Sequence, residues 1–193
     1  MQERILGPLA MTDTDWFCPE EKWDRLAMLY VPYGGDSFPY EELAHDVTHA
    51  PRIHWGGGGL VSSASDYQRF MTMLLRGGEL DGVRLVSNRT IELMTRNHLP
   101  GDVDLETFAV DSYAEPNYAG IGFGLGFSVV IDSAKNKSLT SEGSFSWGGA
   151  ASTLFWVDPA EDLTVGFYTQ LLPSGTYPIR RELQQLVYQA LVD

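Results

Sequence analysis

The residues best suited to chemistry lie between Gly143 and Pro159, in the run Gly-Ser-Phe-Ser-Trp-Gly-Gly-Ala-Ala-Ser-Thr-Leu-Phe-Trp-Val-Asp-Pro. Gly148 and Gly149 precede an apolar, β-prone stretch, and without Cβ atoms the backbone there can approach a ligand closely before a strand begins. Backbone amides fixed at the start of a strand can stabilise an oxyanion without reorganising, which is what acyl transfer requires.

Other reactive side chains lack the partners their chemistry needs. His45 and His49 stand at helical i, i+4 spacing, with His54 and Asp46 nearby, an arrangement that can bind zinc. No pattern there completes a ligand set, so no metal site is assigned and these histidines read as surface or cleft-lining. The four glycines at 56–59 lack the Gly-Lys-Ser/Thr of a nucleotide loop and serve as a flexible lead-in to the following helix. Ser62, Ser63, Ser144 and Ser146 sit in no Gly-x-Ser-x-Gly elbow and read as capping or turn residues. His98 with Asp102 or Asp104 offers two members of a Ser-His-Asp arrangement, whose geometry spacing alone does not supply.

The elements that must hold these residues follow from periodicity and punctuation. Ile5, Leu6 and Leu9 mark a short first helix, and Pro19-Glu20-Glu21 starts another. From Tyr30 to Trp55 no period is sustained, and a long irregular excursion is predicted. Ser65 and Asp66 cap a helix carrying Tyr67, Phe70, Met71, Leu74 and Leu75, ended by Gly77-Gly78. Leu80-Asp81-Gly82-Val83 reads as a hairpin turn, and Ser87 starts a helix with Ile91, Leu93 and Met94. A polar loop spans Asp102 to Asn117. Strands are then predicted over Phe123–Ile131, Ala150–Val157 and Leu163–Leu171, forming an antiparallel sheet. Ile179, Leu183, Leu186, Val187 and Leu191 share one face of a terminal helix that should cover it.

The fold class is thus α/β in the α+β sense: a mostly helical and irregular part over residues 1–118, then an antiparallel sheet with its helix over 119–193, in one domain. The chain's 193 residues, 44% apolar and 12% aromatic, suffice for one sizeable core. A formal charge of −13, carried by scattered acidic residues, argues against nucleic acid and anionic membrane surfaces as partners. Cys18 is the sole cysteine and is assigned to packing. No run approaches the roughly 20 apolar residues of a membrane span, and no signal-peptide pattern opens the chain, so the sequence assigns no compartment.

Taken together, Trp147-Gly148-Gly149, the segment Gly56-Gly57-Gly58-Gly59-Leu60-Val61-Ser62-Ser63 and the segment Leu6-Gly7-Pro8-Leu9-Ala10-Met11-Thr12-Asp13-Thr14 resemble the serine β-lactamase and penicillin-recognising superfamily. The likeness is to its esterase branch, the family VIII carboxylesterases, where Trp-Gly-Gly stands in place of Lys-Thr-Gly. In the third segment Ala10 replaces the usual glycine of Pro-Leu-Gly-Met-x-x-Thr. The resemblance runs from Leu6 to Leu191 and implies the carboxyl-terminal part of a β-lactamase/transpeptidase-like fold. It also implies a serine hydrolase that cleaves esters or amides through an acyl-enzyme, without a cofactor. Ala150 would be the backbone oxyanion donor, and Trp147, Gly148 and Gly149 the substrate wall. A flat neutral ring in place of lysine favours neutral acyl esters over substrates anchored by a carboxylate, and the small-molecule partner the resemblance implies is an ester or a β-lactam-like substrate.

The family's nucleophile and base come from Ser-x-x-Lys, and a Tyr-x-Asn or Tyr-x-Ser loop assists proton transfer. Neither occurs here: Pro19, Asp132 and Ala134 stand three places before the three lysines, and no tyrosine is followed two places on by Asn or Ser. The chain is therefore expected to be inactive alone. In the family, two further strands and a helix complete the sheet, so self-association or docking of a complementary amino-terminal half is expected. The alternative is a non-catalytic binding or regulatory module on the same fold.

Overall fold

The computed structural model describes residues 1–42, 47–109 and 118–192. A π-helical turn over Gln2–Leu6 and a 3-10 turn over Glu20–Arg25 form where short helices are predicted, and Leu6, Leu9, Met11 and Cys18 are buried.

Strand β1 (Tyr30–Tyr33) pairs with β2 (Asp36–Pro39), which corrects the expectation of an irregular excursion from Tyr30 to Trp55. Gly34 and Gly35 supply the two positive φ angles, 61° and 94°, that a two-residue hairpin turn requires. Pro32 and Pro39 hide the strand signal, since proline is tolerated only where no ladder donor is needed.

Helix α1 (Ala64–Leu75) begins before the predicted cap. Ser63 rather than Ser65 is the N-cap, its Oγ accepting the Asp66 amide at 3.3 Å. The buried Asp66 carboxylate instead accepts from the Asp13 amide at 2.7 Å and the Thr14 hydroxyl at 2.8 Å, tying the first segment to α1. Beyond α1, β3 (Glu79–Leu80) and β4 (Val83–Arg84) form the predicted hairpin, with Asp81 and Gly82 at positive φ. Ser87 caps α2 (Asn88–Met94), and Asp104 caps α3 (Leu105–Phe108).

The sheet is antiparallel and five-stranded: β5 (Ile121–Phe123), β6 (Ser128–Val130), then after helix α4 (Ser133–Asn136), β7 (Phe145–Gly148), β8 (Leu154–Asp158) and β9 (Leu163–Phe167), with neighbours in chain order. The single strand predicted over Phe123–Ile131 is two, broken at Gly124. A Cβ on Gly124 would stand 2.0 Å from the Met94 carbonyl oxygen, so only glycine lets the chain turn against α2 there. The strand predicted from Ala150 starts at Leu154, and Phe145–Gly148 is a strand of its own.

Each sheet face has its own core. Phe145, Phe155, Val157 and Val129 pack toward Met71 and Leu74 of α1. Leu154 and Trp156 pack on the other face against Leu183, Val187 and Tyr188 of α5 (Ile179–Gln189), so the terminal helix covers the sheet as predicted. Leu186 and Leu191, placed on that apolar face by periodicity, are exposed. Burial of each such apolar side chain contributes on the order of 2 kcal/mol, and the strand register decides which residues receive it.

Candidate active site

Alternation along β7 separates its side chains. Phe145 belongs to the core on the α1 side, and Trp147, two residues on, projects to that same side. The Trp147 ring meets Phe123 edge-on, with centroids 5.2 Å apart at 77°, and remains 44% exposed. Ser146 and Gly148 face α5, and the Ser146 hydroxyl pairs with that of Ser128 at 2.8 Å.

After Gly148 the chain turns. The Gly149 amide donates to the Thr153 carbonyl at 3.0 Å, and the Ser152 amide donates to the Gly149 carbonyl at 3.1 Å. Ser152 holds a φ of 67°, a conformation that side chains rarely adopt, and its buried hydroxyl donates to the Leu171 carbonyl at 2.7 Å. The Leu171 amide returns a bond to the Ala151 carbonyl at 3.1 Å. Ala150 thus lies within the turn, not at the start of the strand as expected. It is exposed, and among the described residues no group accepts a hydrogen bond from its amide.

The space opened by the two glycines is occupied, by α5 at Gly148 and by the turn itself at Gly149. A Cβ on Gly148 would stand 2.7 Å from Cζ of Arg180, and one on Gly149 would stand 2.4 Å from Oγ1 of Thr153. Arg180 Nη2 donates to the Gly149 carbonyl at 2.6 Å and to the Thr153 carbonyl at 2.8 Å, closing the neck of the turn. Sequence reasoning missed Arg180. One cation on a polar helix, 31 residues beyond its partner, leaves no periodic or spacing signal.

The remaining candidates are held elsewhere. His98 Nε2 lies 2.8 Å from the Leu93 carbonyl, whereas Asp104 accepts from the Thr107 hydroxyl at 2.6 Å, the Gly120 amide at 2.9 Å and Lys135, so no His98–Asp104 pair forms. Ser62 pairs with Thr14, and Ser144 is buried. His54 stacks on Trp16 at 4.6 Å, and His49 Nδ1 lies 2.9 Å from the Thr48 hydroxyl; His45 and Asp46 fall outside the described residues. No helix among the described residues is long and apolar enough to cross a membrane.

The Beta-lactamase family model matches residues 1–189, and the chain belongs to that family. It is similar to Protein Rv1367c of Mycobacterium tuberculosis, 36% identical over 177 residues that cover 90% of this chain and 43% of that one. It is also similar to the monacolin J acid methylbutanoyltransferase of Aspergillus terreus, 24% identical, with 99% and 48% covered. Among solved structures it superposes on EstCE1, described as a hydrolase with promiscuous acyltransferase activity, with a TM-score of 0.77 at 22% identity over 97% of this chain and 49% of that one. The LovD6 variant of simvastatin synthase from Aspergillus terreus gives 0.78 at 24%, with 97% and 48% covered. The chain spans about half the length, or slightly less, of these relatives.

Proposed function

We propose that this chain is the carboxyl-terminal portion of an acyl-transferring serine enzyme, an esterase or acyltransferase that works through an acyl-enzyme. The observation that carries this reading is the exposed Trp147 ring beside a turn whose Ala150 amide is uncommitted. In the whole protein a serine from the amino-terminal portion attacks an acyl carbonyl, forming the acyl–serine bond while the alcohol leaves with a proton. Water or a second alcohol then takes the acyl group and restores the serine. Charge develops on the carbonyl oxygen in both steps, and the Ala150 N–H donates to it. Trp147, half-exposed and uncharged, lines the site for a neutral acyl ester.

The partner in this reading is the amino-terminal portion, which adds strands along β9. Among the described strands β9 pairs only with β8, so its other edge keeps free donors and acceptors. Alone, the chain should self-associate, seen as a sedimentation coefficient that rises with concentration; a monomer at every concentration argues against this.

The test of the chemistry is the intact mass of the isolated chain and of the whole protein after a fluorophosphonate probe, with p-nitrophenyl ester turnover on the same samples. The reading expects no adduct and no turnover for the chain, and a stoichiometric adduct for the whole protein on a serine outside this sequence. An adduct on the isolated chain would overturn it. A whole protein that binds esters without adduct or turnover would instead be a binding or regulatory module.

A further inference from the structure

The carbonyl of Gly149 and the amide of Ala150 belong to one peptide unit. That unit is trans, the one cis peptide bond among the described residues being Leu172–Pro173, so its C=O and N–H point in opposite directions. Arg180 grips the oxygen from the α5 side, where Gly148 leaves room for the guanidinium. The N–H therefore points away from the guanidinium, and among the described residues no group accepts a hydrogen bond from it.

We propose that Arg180 is a positioning residue for the oxyanion site, acting through this peptide unit. Its second bond, to the Thr153 carbonyl, fixes the guanidinium across the neck of the turn and so fixes the peptide plane. Its charge acts in addition to geometry. A cation on the carbonyl oxygen draws electron density from the amide nitrogen, and polarised hydrogen-bond chains of this kind strengthen the donor at the far end. The Ser152 amide also donates to the Gly149 oxygen, but as a neutral and longer contact of 3.1 Å. Ser152 and Leu171 hold the next peptide along, through Ala151. The turn is thus fixed on both flanks, and the charge falls on the peptide that faces the reacting oxygen. This rests on the reading of Ala150 as the oxyanion donor.

The experiment compares wild type with Arg180→Gln and Arg180→Lys. On this chain, 15N-resolved spectra read the Ala150 amide directly. Loss of the cation in Arg180→Gln should move its proton upfield and slow its base-catalysed exchange about threefold or more, since a nearby positive charge makes an N–H more acidic. A merely structural role would leave that exchange unchanged or hasten it. Arg180→Lys keeps the charge without the fork and should restore part of both effects; it also serves if Arg180→Gln does not fold. In the whole protein, Arg180→Gln should lower kcat for a p-nitrophenyl ester about tenfold with KM within about twofold. Wild-type turnover with an unmoved Ala150 amide and unchanged kcat in the variants overturns the role of Arg180 while the functional reading stands. Absence of wild-type turnover overturns that reading, and the amide spectra still decide whether Arg180 polarises the peptide.

Discussion

Tyr188 donates its hydroxyl hydrogen to Asp158 Oδ2 at 2.6 Å, joining helix α5 to the end of strand β8 inside the protein. Oδ1 of the same carboxylate accepts the Ala160 and Glu161 amides at 3.0 and 3.4 Å, and Oδ2 also takes the Ser141 amide at 3.3 Å. One fully buried acid thus ends a strand, holds two loops and anchors a helix.

Replacing Tyr188 by Phe keeps the ring stacked on Trp156 but leaves Asp158 short of its hydroxyl donor. The variant should lose about 1–3 kcal/mol in urea unfolding, the cost of one lost hydrogen bond to a buried carboxylate. An unchanged midpoint would mean that the Tyr188–Asp158 bond adds nothing to the hold that the apolar contacts of α5 and the Arg180 bonds already supply.

Alkaline stability should follow Tyr67. Burial, and secondarily Tyr168, pushes its hydroxyl up to about 12, whereas an unfolded tyrosine titrates near 10. The folded value is the higher one, so its contribution is complete below pH of about 10 and is lost as pH rises toward the folded value. Tyr67→Phe keeps the edge contact with Phe155 and should flatten the fall in unfolding free energy above pH 10 or so. Tyr188, raised first by burial and then by Asp158, preserves part of the slope.

Acid behaviour should follow Asp104. Lys135 first, then Thr107 and Gly120, hold this buried carboxyl well below the usual carboxylate range. Its stabilisation is present above the unfolded value near 4 and is lost as pH falls through the lower folded value. Lys135 is half-exposed, so the ion pair itself adds little, and the bonds to buried oxygens dominate. Asp104→Asn should cost about 2–4 kcal/mol at pH 7 and weaken the acid dependence, measured as chemical-denaturation midpoints from pH 7 downward.

Two glycine substitutions should differ in whether they move the Ala150 amide. A Cβ on Gly120, which has φ 71°, would meet the Asp132 carbonyl oxygen at 2.1 Å, rigid backbone against rigid backbone. Gly120→Ala should therefore cost about 2 kcal/mol or more. At Gly148 the obstacle is the Arg180 guanidinium. Gly148→Ala should displace the guanidinium from the Gly149 and Thr153 carbonyls, costing about 1–3 kcal/mol in thermal melting while shifting the Ala150 amide resonance in the direction seen for Arg180→Gln.

What the sequence disclosed depended on how local the cause was. The β3–β4 turn at Asp81-Gly82 and the Ser87 cap are set by residues within one turn of each other, and both were legible. The break at Gly124 was not, because the carbonyl that enforces it comes from Met94 on another element. The shift of the α1 cap from Ser65 to Ser63 has the same origin: Asp66 is drawn to Asp13 and Thr14, more than 50 residues away. The β1–β2 hairpin was legible at Gly34-Gly35, had two prolines not obscured the alternation around it.

Sequential pairing in the five-stranded sheet also bears on the time course of folding. Each neighbouring strand is the next in the chain, so every ladder closes a short loop, whereas the Asp13–Asp66 contact spans 53 residues. Short closures cost less chain entropy and are made sooner. The meander that carries Trp147 and the Ala150 turn should therefore form before the amino-terminal segment docks onto α1, an order that φ-values along β7, β8 and α1 would read.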